Sequence, residues 1–393
     1  MNRGMEWSHE VQRIMGKLIQ TRCDLHQIPE LAFRELKTAE YIKNRLETLG
    51  ISCEKNIAGT GVAAFIPGSV GRKTYAFRAD MDALEVLELN EIQCKSRNSG
   101  KMHACGHDGH MTILLGFAEV LSQSSFQLTD NVLLLFQPGE EGTGGAEKII
   151  QSGILDKYKV SEIYGLHLFP GIQQGKLGIR PGPMMAQNSE IDLTIWGENA
   201  HGGTPHMGND VIVIAAHLIT SIQTIVSRNI NPMDPAVITF GKMTGGEVRN
   251  MIARHANLEG TIRTFRKDTY ETLRSRLLAV VRGIEMTYQC EIDVDLRELY
   301  PAVINPSDLV EAWIQAQGKE NVIITEPTML AEDFSFYQQH YPALFFFLGT
   351  RNEEKGLIHP LHHGRFNFDE QVLATGVQAF LNILIHKAAF ELQ

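Results

Sequence analysis

The sequence predicts an α/β fold in two parts: an α/β domain with a largely parallel sheet, interrupted by a smaller α+β domain. Three observations lead there. The chain has 393 residues, and domains of about 100–200 residues each make two or three cores the expectation. Strand-like and helix-like stretches alternate over residues 1–186 and return over 301–393, as they do where helices cover a sheet. Over 187–300 the order becomes β-α-β-β-α-β, the split ferredoxin-like unit.

The elements follow in order. Residues 8–50 read as two helices, the first ending near Gln27, where "IPE" breaks the pattern. In the second, Leu36, Ala39, Ile42, Leu46 and Leu49 keep helical spacing and Gly50 supplies the stop. "GVAAFIP" and "KTYAFRAD" read as short strands, and "MTILLGFAEVLSQ" as a helix apolar on most faces. "DNVLLLFQPGEEG" is a buried strand opening into a glycine-rich loop, "GGAEKIIQSGIL" a helix, and "EIYGLHLFP" a strand. After "RPGPMMAQ", the alternation of "SEIDLTIWGE" opens the inserted domain. A long helix "DVIVIAAHLITSIQTIVSRN" follows, then strands "PAVITFGKMTGG" and "HANLEGTIRTF". Helix "TYETLRSRLLAVVRGIEMTYQ" and strand "CEIDVDLRELY" complete it. The stretch "VIITEPTMLAEDFSFYQQHYPALFFFLGT" returns to the buried character of the first part, with its three phenylalanines on a core strand.

Composition narrows the function classes. Hydrophobic residues at 43% and charged residues at 21% describe an ordinary soluble globular protein. A formal charge of −10 argues against a nucleic-acid partner, which would need a basic face. Five cysteines, odd in number and scattered, suggest no disulfide framework. The N-terminal stretch is amphipathic with no apolar leader core, and no run of about 18 apolar residues offers a membrane span. The expectation is a cytoplasmic protein with no membrane partner, where a Cys beside His is a ligand or nucleophile.

Metal-ligand residue types gather at strand ends and in the loops after them. "FRADMDA" carries Asp80 and Asp82; "HACGHDGH" carries Cys105, His107, Asp108 and His110. "PGEEG" carries Glu140 and Glu141, "GLHLFP" carries His167, and "HPLHHGRF" carries His359, His362 and His363. Each has an unremarkable reading: a satisfied buried histidine, a solvated turn, a helix-capping pair. Five such clusters at strand ends point instead to one metal site, since ligands of open α/β sheets bind outside the strand ends. Imidazole and carboxylate with one sulfur suit Zn²⁺, or Mn²⁺, Co²⁺ and Ni²⁺ in related geometry. Donors from distant segments fit a two-metal hydrolytic site rather than a closed structural zinc. In the pair Glu140-Glu141, adjacent side chains point opposite ways, so one can ligate while the other serves as general base.

The motifs "RADMDAL", "MHACGHDGH", "QPGEEGTGGA", "GLHLFP", "HGGTPHMGND", "QTIVSRN", "LEGTIRTF", "AEDFSFY" and "LHHGRFNFDE" occur in that order. Together they resemble the metal-dependent amidohydrolases that include N-acyl-amino-acid deacylases, hippurate hydrolases, auxin-conjugate hydrolases and N-acetyldiaminopimelate deacetylases, with aminoacylases and zinc carboxypeptidases further off. The resemblance spans residues 20–385. It implies a zinc-peptidase-like α/β/α catalytic domain in two parts, 1–186 and 301–393, with a ferredoxin-like lid at 187–300 through which subunits form a homodimer or larger homo-oligomer. It implies two divalent metals per subunit. Cys105 matches the bridging ligand, and His107, Glu141, His167 and His362 match the other ligands. Glu140 matches the general base, and Asp82 the acidic residue behind the metals. Asp80 stands where distant relatives place a metal-binding His, and Asp108 matches a residue that orients ligands. In the lid, His201 matches a histidine that polarises the substrate carbonyl, while Asn250 and Arg263 match residues that hold the substrate. Glu85 replaces a proline usual after "RADMDAL", and "NMIA" replaces "NVIP". The implied reaction is hydrolysis of an N-acyl amino acid. A dipeptidase or carboxypeptidase would use the same machinery. A cysteine hydrolase built on Cys105 would leave Glu140, Glu141, His167 and His362 without a role, and a metal-storage protein would not need Glu140 or a lid.

Overall fold

The strand Asn131–Gln137 is buried from Val132 to Gln137, as a strand must be when both faces are covered. Thr74–Asp80, buried at all seven positions, lies parallel to it. Val160–Gln173 runs parallel to Thr74–Asp80 on the other side, and Ala343–Arg351 parallel to Val160–Gln173. These four are the parallel heart of an eight-stranded sheet. Its spatial order is Cys53–Ile57, Gly61–Ile66, Asn131–Gln137, Thr74–Asp80, Val160–Gln173, Ala343–Arg351, Leu177–Ile179, Val322–Ile324. Phe345, Phe346 and Phe347 are core residues, none more than 1% exposed. In this computed structural model residues 3–123 and 126–392 are described, with side-chain surroundings for 8–123 and 127–390. Met1 and Asn2 of the N-terminal stretch lie outside the described residues.

The chain forms two units. The first comprises Met1–Gly182, Ile304–Glu326 and Asp333–Gln393; the second comprises Pro183–Val303 and Pro327–Glu332. In the first, helix His107–Gln123 is buried at every position from His107 to Leu121, because it lies between the sheet and helices Met15–His26 and Gln371–His386. The second unit has a four-stranded antiparallel sheet ordered Ala236–Gly245, His255–Thr264, Gln187–Trp196, Glu291–Tyr300. Ile191, Leu193 and Ile195 point from it into a core shared with helices Val211–Arg228 and Lys267–Tyr288. Asp210 caps the first of these helices by accepting from the N–H groups of Ile212 and Val213.

Several expectations are corrected. The stretch read as one helix up to Gln27 is two, Arg3–Arg13 and Met15–His26. Leu36, expected on the buried face of its helix, is 69% exposed, because it is the first helical residue and only Thr38, Ala39, Ile42 and Leu46 turn inward. "GGAEKIIQSGIL" is divided at Gly153, whose φ of +74° ends the first piece. Helix Val211–Arg228 is, among the described residues, long and apolar enough to cross a membrane. Its Val211, Ile214, Leu218, Ile222 and Ile225 are buried in the second unit's own core, the placement of a core helix.

Cys23 and Cys94 form a disulfide, which the scattered cysteines did not suggest. It ties helix Met15–His26 to the loop that leads into "MHACGHDGH". The bridged residues are 71 apart in sequence, and in the chain-entropy model such a loop contributes about 4 kcal/mol. A dithiol reductant is therefore expected to lower the urea midpoint of the first unit, and Cys23→Ser to reproduce the loss without reductant. A midpoint indifferent to reductant would show that the bridge adds no stability.

Candidate metal centre

Strand register brings the site together. Arg78 pairs with Gly165, so two residues on, Asp80 and His167 reach the same level; Asp80 also pairs with Gln137. The Glu140-Glu141 turn follows Gln137 directly. Helix His107–Gln123 begins at this edge, entered through Gly106 at φ +91°. A Cβ there would stand 3.3 Å from Leu168 Cδ1, so glycine lets the chain turn tightly between Cys105 and His107. His362 arrives from the far end of the sequence. Its φ is +63°, a strained conformation for a residue with a side chain, and its N–H donates to Ala104 O at 2.9 Å.

Cys105, His107 and His167 can bring one donor atom each to within 4.8 Å of one another, and so can Cys105, Glu141 and His362. Cys105 belongs to both groups, the arrangement a bridging donor needs. Cys105 Sγ lies 3.3 Å from His167 Nε2, and His362 Nε2 3.0 Å from Glu141 Oε1. His167 Nδ1 is 2.7 Å from the Leu168 carbonyl. As a donor there, it leaves Nε2 as the lone-pair nitrogen facing the cluster. His107 is fully buried, yet its ring nitrogens make no hydrogen bond of good geometry: Asp82 Oδ1 stands 3.4 Å from Nδ1 and Asp80 Oδ2 3.7 Å from Nε2. Buried polar atoms left this way are costly unless something satisfies them. With the borderline-soft donor set, this fits divalent metal ions.

Electrostatics agree. Burial works against charge on His107, but Asp80, Asp82 and Glu141 raise it to about 10. Burial would raise Asp80, but His107, His110 and Arg78 hold it well below the usual carboxylate range. Burial, then Glu141 and Glu140, push the Cys105 thiol well above its ordinary value. Burial, reinforced by His110, keeps His167 neutral. A negative pocket with a protonated histidine and a protonated thiol is one that binds cations by releasing protons.

The flanking groups divide by task. Asp82 accepts from both Glu140 N–H (3.1 Å) and Glu141 N–H (2.9 Å) and faces His107 Nδ1 at 3.4 Å. His110 is not free to ligate: Nδ1 is 2.6 Å from Asp80 Oδ1 and Nε2 accepts from Leu168 N–H at 2.9 Å. It ties the helix to the strand that carries His167. Asp108 points away from the cluster, to His26 Nδ1 at 2.8 Å and Arg22 Nε at 3.3 Å. His359 and His363 stack on each other, ring centroids 4.6 Å apart. His201, Asn250 and Arg263 belong to the second unit. There, Gly203 N–H donates to His201 Nδ1 at 3.0 Å, so a neutral ring carries its proton on Nε2. Gly202 N–H donates to the Asn250 carbonyl at 2.9 Å. Arg263 is half-buried and bonded to Asn188 and Thr261.

Sequence reasoning missed a supporting layer. Arg78 and Asp333 lay within the motifs "RADMDAL" and "AEDFSFY" but drew no role. Arg78 meets Asp80 at 2.7 Å and Asp333 at 2.8 Å, all fully buried. His26 and Glu88, 3.1 Å apart, carried no local signal, since neither has a clustered neighbour in sequence.

The fold and donor set define a hydrolase that works with metal ions. The pattern of Peptidase family M20/M25/M40 matches residues 76–386, and the chain belongs to this family. The N-acetyldiaminopimelate deacetylase of Bacillus cytotoxicus is 39% identical over 372 residues, covering 94% of this chain and 97% of the relative. A solved structure from methicillin resistant Staphylococcus aureus matches with a TM-score of 0.90 at 33% identity, covering 98% of this chain and 99% of that one. Bacillus subtilis YXEP, described as a dinuclear metal binding peptidase of the M20 family, matches with a TM-score of 0.83 at 30% identity, covering 96% and 99%.

Behind the cluster, burial opposes charge on His26, but Asp108 and Glu88 raise it to about 9. A raised folded value stabilises fully below the unfolded value near 6.5 and is lost as pH climbs through about 9. That is worth about 3 kcal/mol. The stability advantage of wild type over His26→Asn is therefore expected to shrink between pH 6 and pH 10 in urea titrations. An advantage independent of pH would mean that His26 is neutral throughout.

Proposed function

We propose that the chain hydrolyses the amide bond of N-acyl amino acids at this cluster, releasing a carboxylic acid and a free amino acid. The observation that carries it is the Glu140-Glu141 turn. Asp82 holds both N–H groups, Glu141 joins the donor cluster, and Glu140 stands beside it, 7% exposed. The deacetylase relative supports the N-acyl substrate class and makes an N-acetylated amino acid with a second carboxylate the first to try.

Cys105, His107, Glu141, His167 and His362 would hold the metals. Zn²⁺ or Mn²⁺ suits these donors, with Co²⁺ and Ni²⁺ as substitutes. Such ions, when bound, polarise an acyl oxygen and acidify water. Glu140 takes the proton of the attacking water and returns it to the leaving amine. Asp82 fixes the turn that carries Glu140, and Asp80 and Asp108 orient His107 and its helix. His201, with its proton on Nε2, donates to the developing oxyanion, and Asn250 and Arg263 hold the substrate carboxylate end. The domain limits are those of the sequence reading, 1–186, 187–300 and 301–393, with the middle segment as a lid that also pairs subunits. The proposed compartment is the cytoplasm.

The dipeptidase reading shares every residue and differs only in substrate; the peptidase description of YXEP keeps it in view. The cysteine-hydrolase reading is disfavoured, because burial and two carboxylates raise the Cys105 thiol, the reverse of an activated nucleophile. Glu140→Ala is expected to lower turnover by about 10²–10⁴-fold while metal content stays unchanged. Amino-acid release and elemental analysis measure the two, and an active variant would falsify the base assignment. Chelator-stripped enzyme is expected to regain cleavage of N-acetyl amino acids with Zn²⁺ or Mn²⁺ and to spare dipeptides. Restored cleavage of dipeptides alone would favour the peptidase reading.

A further inference from the structure

The turn that carries Glu140 hangs from two carboxylates, and only one of them, Asp82, belongs to the cluster. The other is Glu35, which is 0% exposed. Its Oε1 accepts from Gly139 N–H at 2.9 Å and from Phe33 N–H at 2.9 Å, and its Oε2 from the Thr60 hydroxyl. Three successive N–H groups, 139 to 141, are thus each held by a buried carboxylate. The segment around Glu35 is itself anchored to the same edge: Ala83 N–H donates to the Glu30 carbonyl at 2.8 Å, and Leu31 bridges to Ala83. Its geometry is shaped to the turn. Phe33 is left-handed at φ +59° and Gly139 at φ +70°. A Cβ on Gly139 would come within 2.4 Å of the Phe33 ring. Lys148, on the helix after the turn, lies 3.6 Å above that ring.

We propose that Glu35 is a positioning residue for the general base: by holding Gly139 and Phe33 it sets where the Glu140 carboxylate stands. Reach and acceptor character matter here, not charge. In Glu35→Gln the amide oxygen can keep both N–H donors, and the Thr60 hydroxyl can turn to accept from the amide nitrogen. In Glu35→Asp the charge stays but the carboxylate falls one methylene short.

The proposal depends on Glu140 being the base, so Glu140→Ala is run beside it on an N-acetyl amino acid, with kcat, KM, metal content and urea midpoint recorded for each. Misplacement by about 1 Å predicts that Glu35→Asp loses about 10²-fold in kcat with KM and metal content within about threefold, while Glu35→Gln stays near wild type. If Glu35→Gln falls as far as Glu35→Asp, or Glu35→Asp keeps full kcat, the positioning role is overturned. An active Glu140→Ala would overturn the base assignment instead, whatever the Glu35 variants do. Should Glu35→Asp fail to fold, hydrogen exchange in the wild-type enzyme decides: slow exchange at Gly139 N–H is expected, and free exchange there overturns the proposal.

Discussion

Arg78 and Asp80 face each other at 2.7 Å with neither side chain exposed. Two charges taken from water cost several kcal/mol each unless their remaining donors and acceptors are met. Here they are. The guanidinium also reaches Gln137 and Asp333, and Asp80 also meets His110. Asp333 passes the restraint on, accepting from Gly145 and Ala146 N–H at 2.8 and 2.9 Å. One buried pair thus fixes the end of Thr74–Asp80, the start of the helix after the Glu140-Glu141 turn, and, through His110, the strand carrying His167. The donor cluster is assembled on that frame.

The same frame explains why so few of the cluster's neighbours are themselves donors. His110 is spent on Asp80 and Leu168, and Asp108 on His26 and Arg22. Each removes a histidine or carboxylate from competition for a metal: His110 holds the backbone beside His167, and Asp108 ties the start of its helix to Arg22 and His26. Selection among many candidate ligands is made by hydrogen bonding behind them.

Much of this was readable in advance. The parallel strands announced themselves as unbroken apolar runs, and the second unit's central strand by alternation, with Ile191, Leu193 and Ile195 inward. That the ligand-bearing segments meet at one edge followed from their places at strand ends, while the choice of Cys105, His107, Glu141, His167 and His362 among them came from the family resemblance. The supporting layer did not, for a physical reason. Glu35, His26 and Arg22 act through hydrogen bonds to partners distant in sequence, and nothing local distinguishes such a residue from a solvated helix face. The Cys23–Cys94 bridge was missed likewise: pairing depends on which loop folds back on which helix, not on spacing. Leu36 shows the converse error, since helical period alone cannot tell a first-turn position from the buried stripe.

The order of strands in the first sheet bears on how the protein is made. Val160–Gln173 is an interior strand, but its outer neighbour, Ala343–Arg351, is encoded after the whole second unit. A ribosome adding about 5–20 residues per second needs about ten to thirty seconds to bridge that gap. Through that interval a nascent chain would present a long apolar strand edge, the kind that pairs with other chains. The second unit's four-stranded sheet is built from one continuous stretch of chain, Gln187–Tyr300, encoded within that gap. The late segment of the first unit, from Asp333 on, thus supplies both the strand that covers this edge and His362.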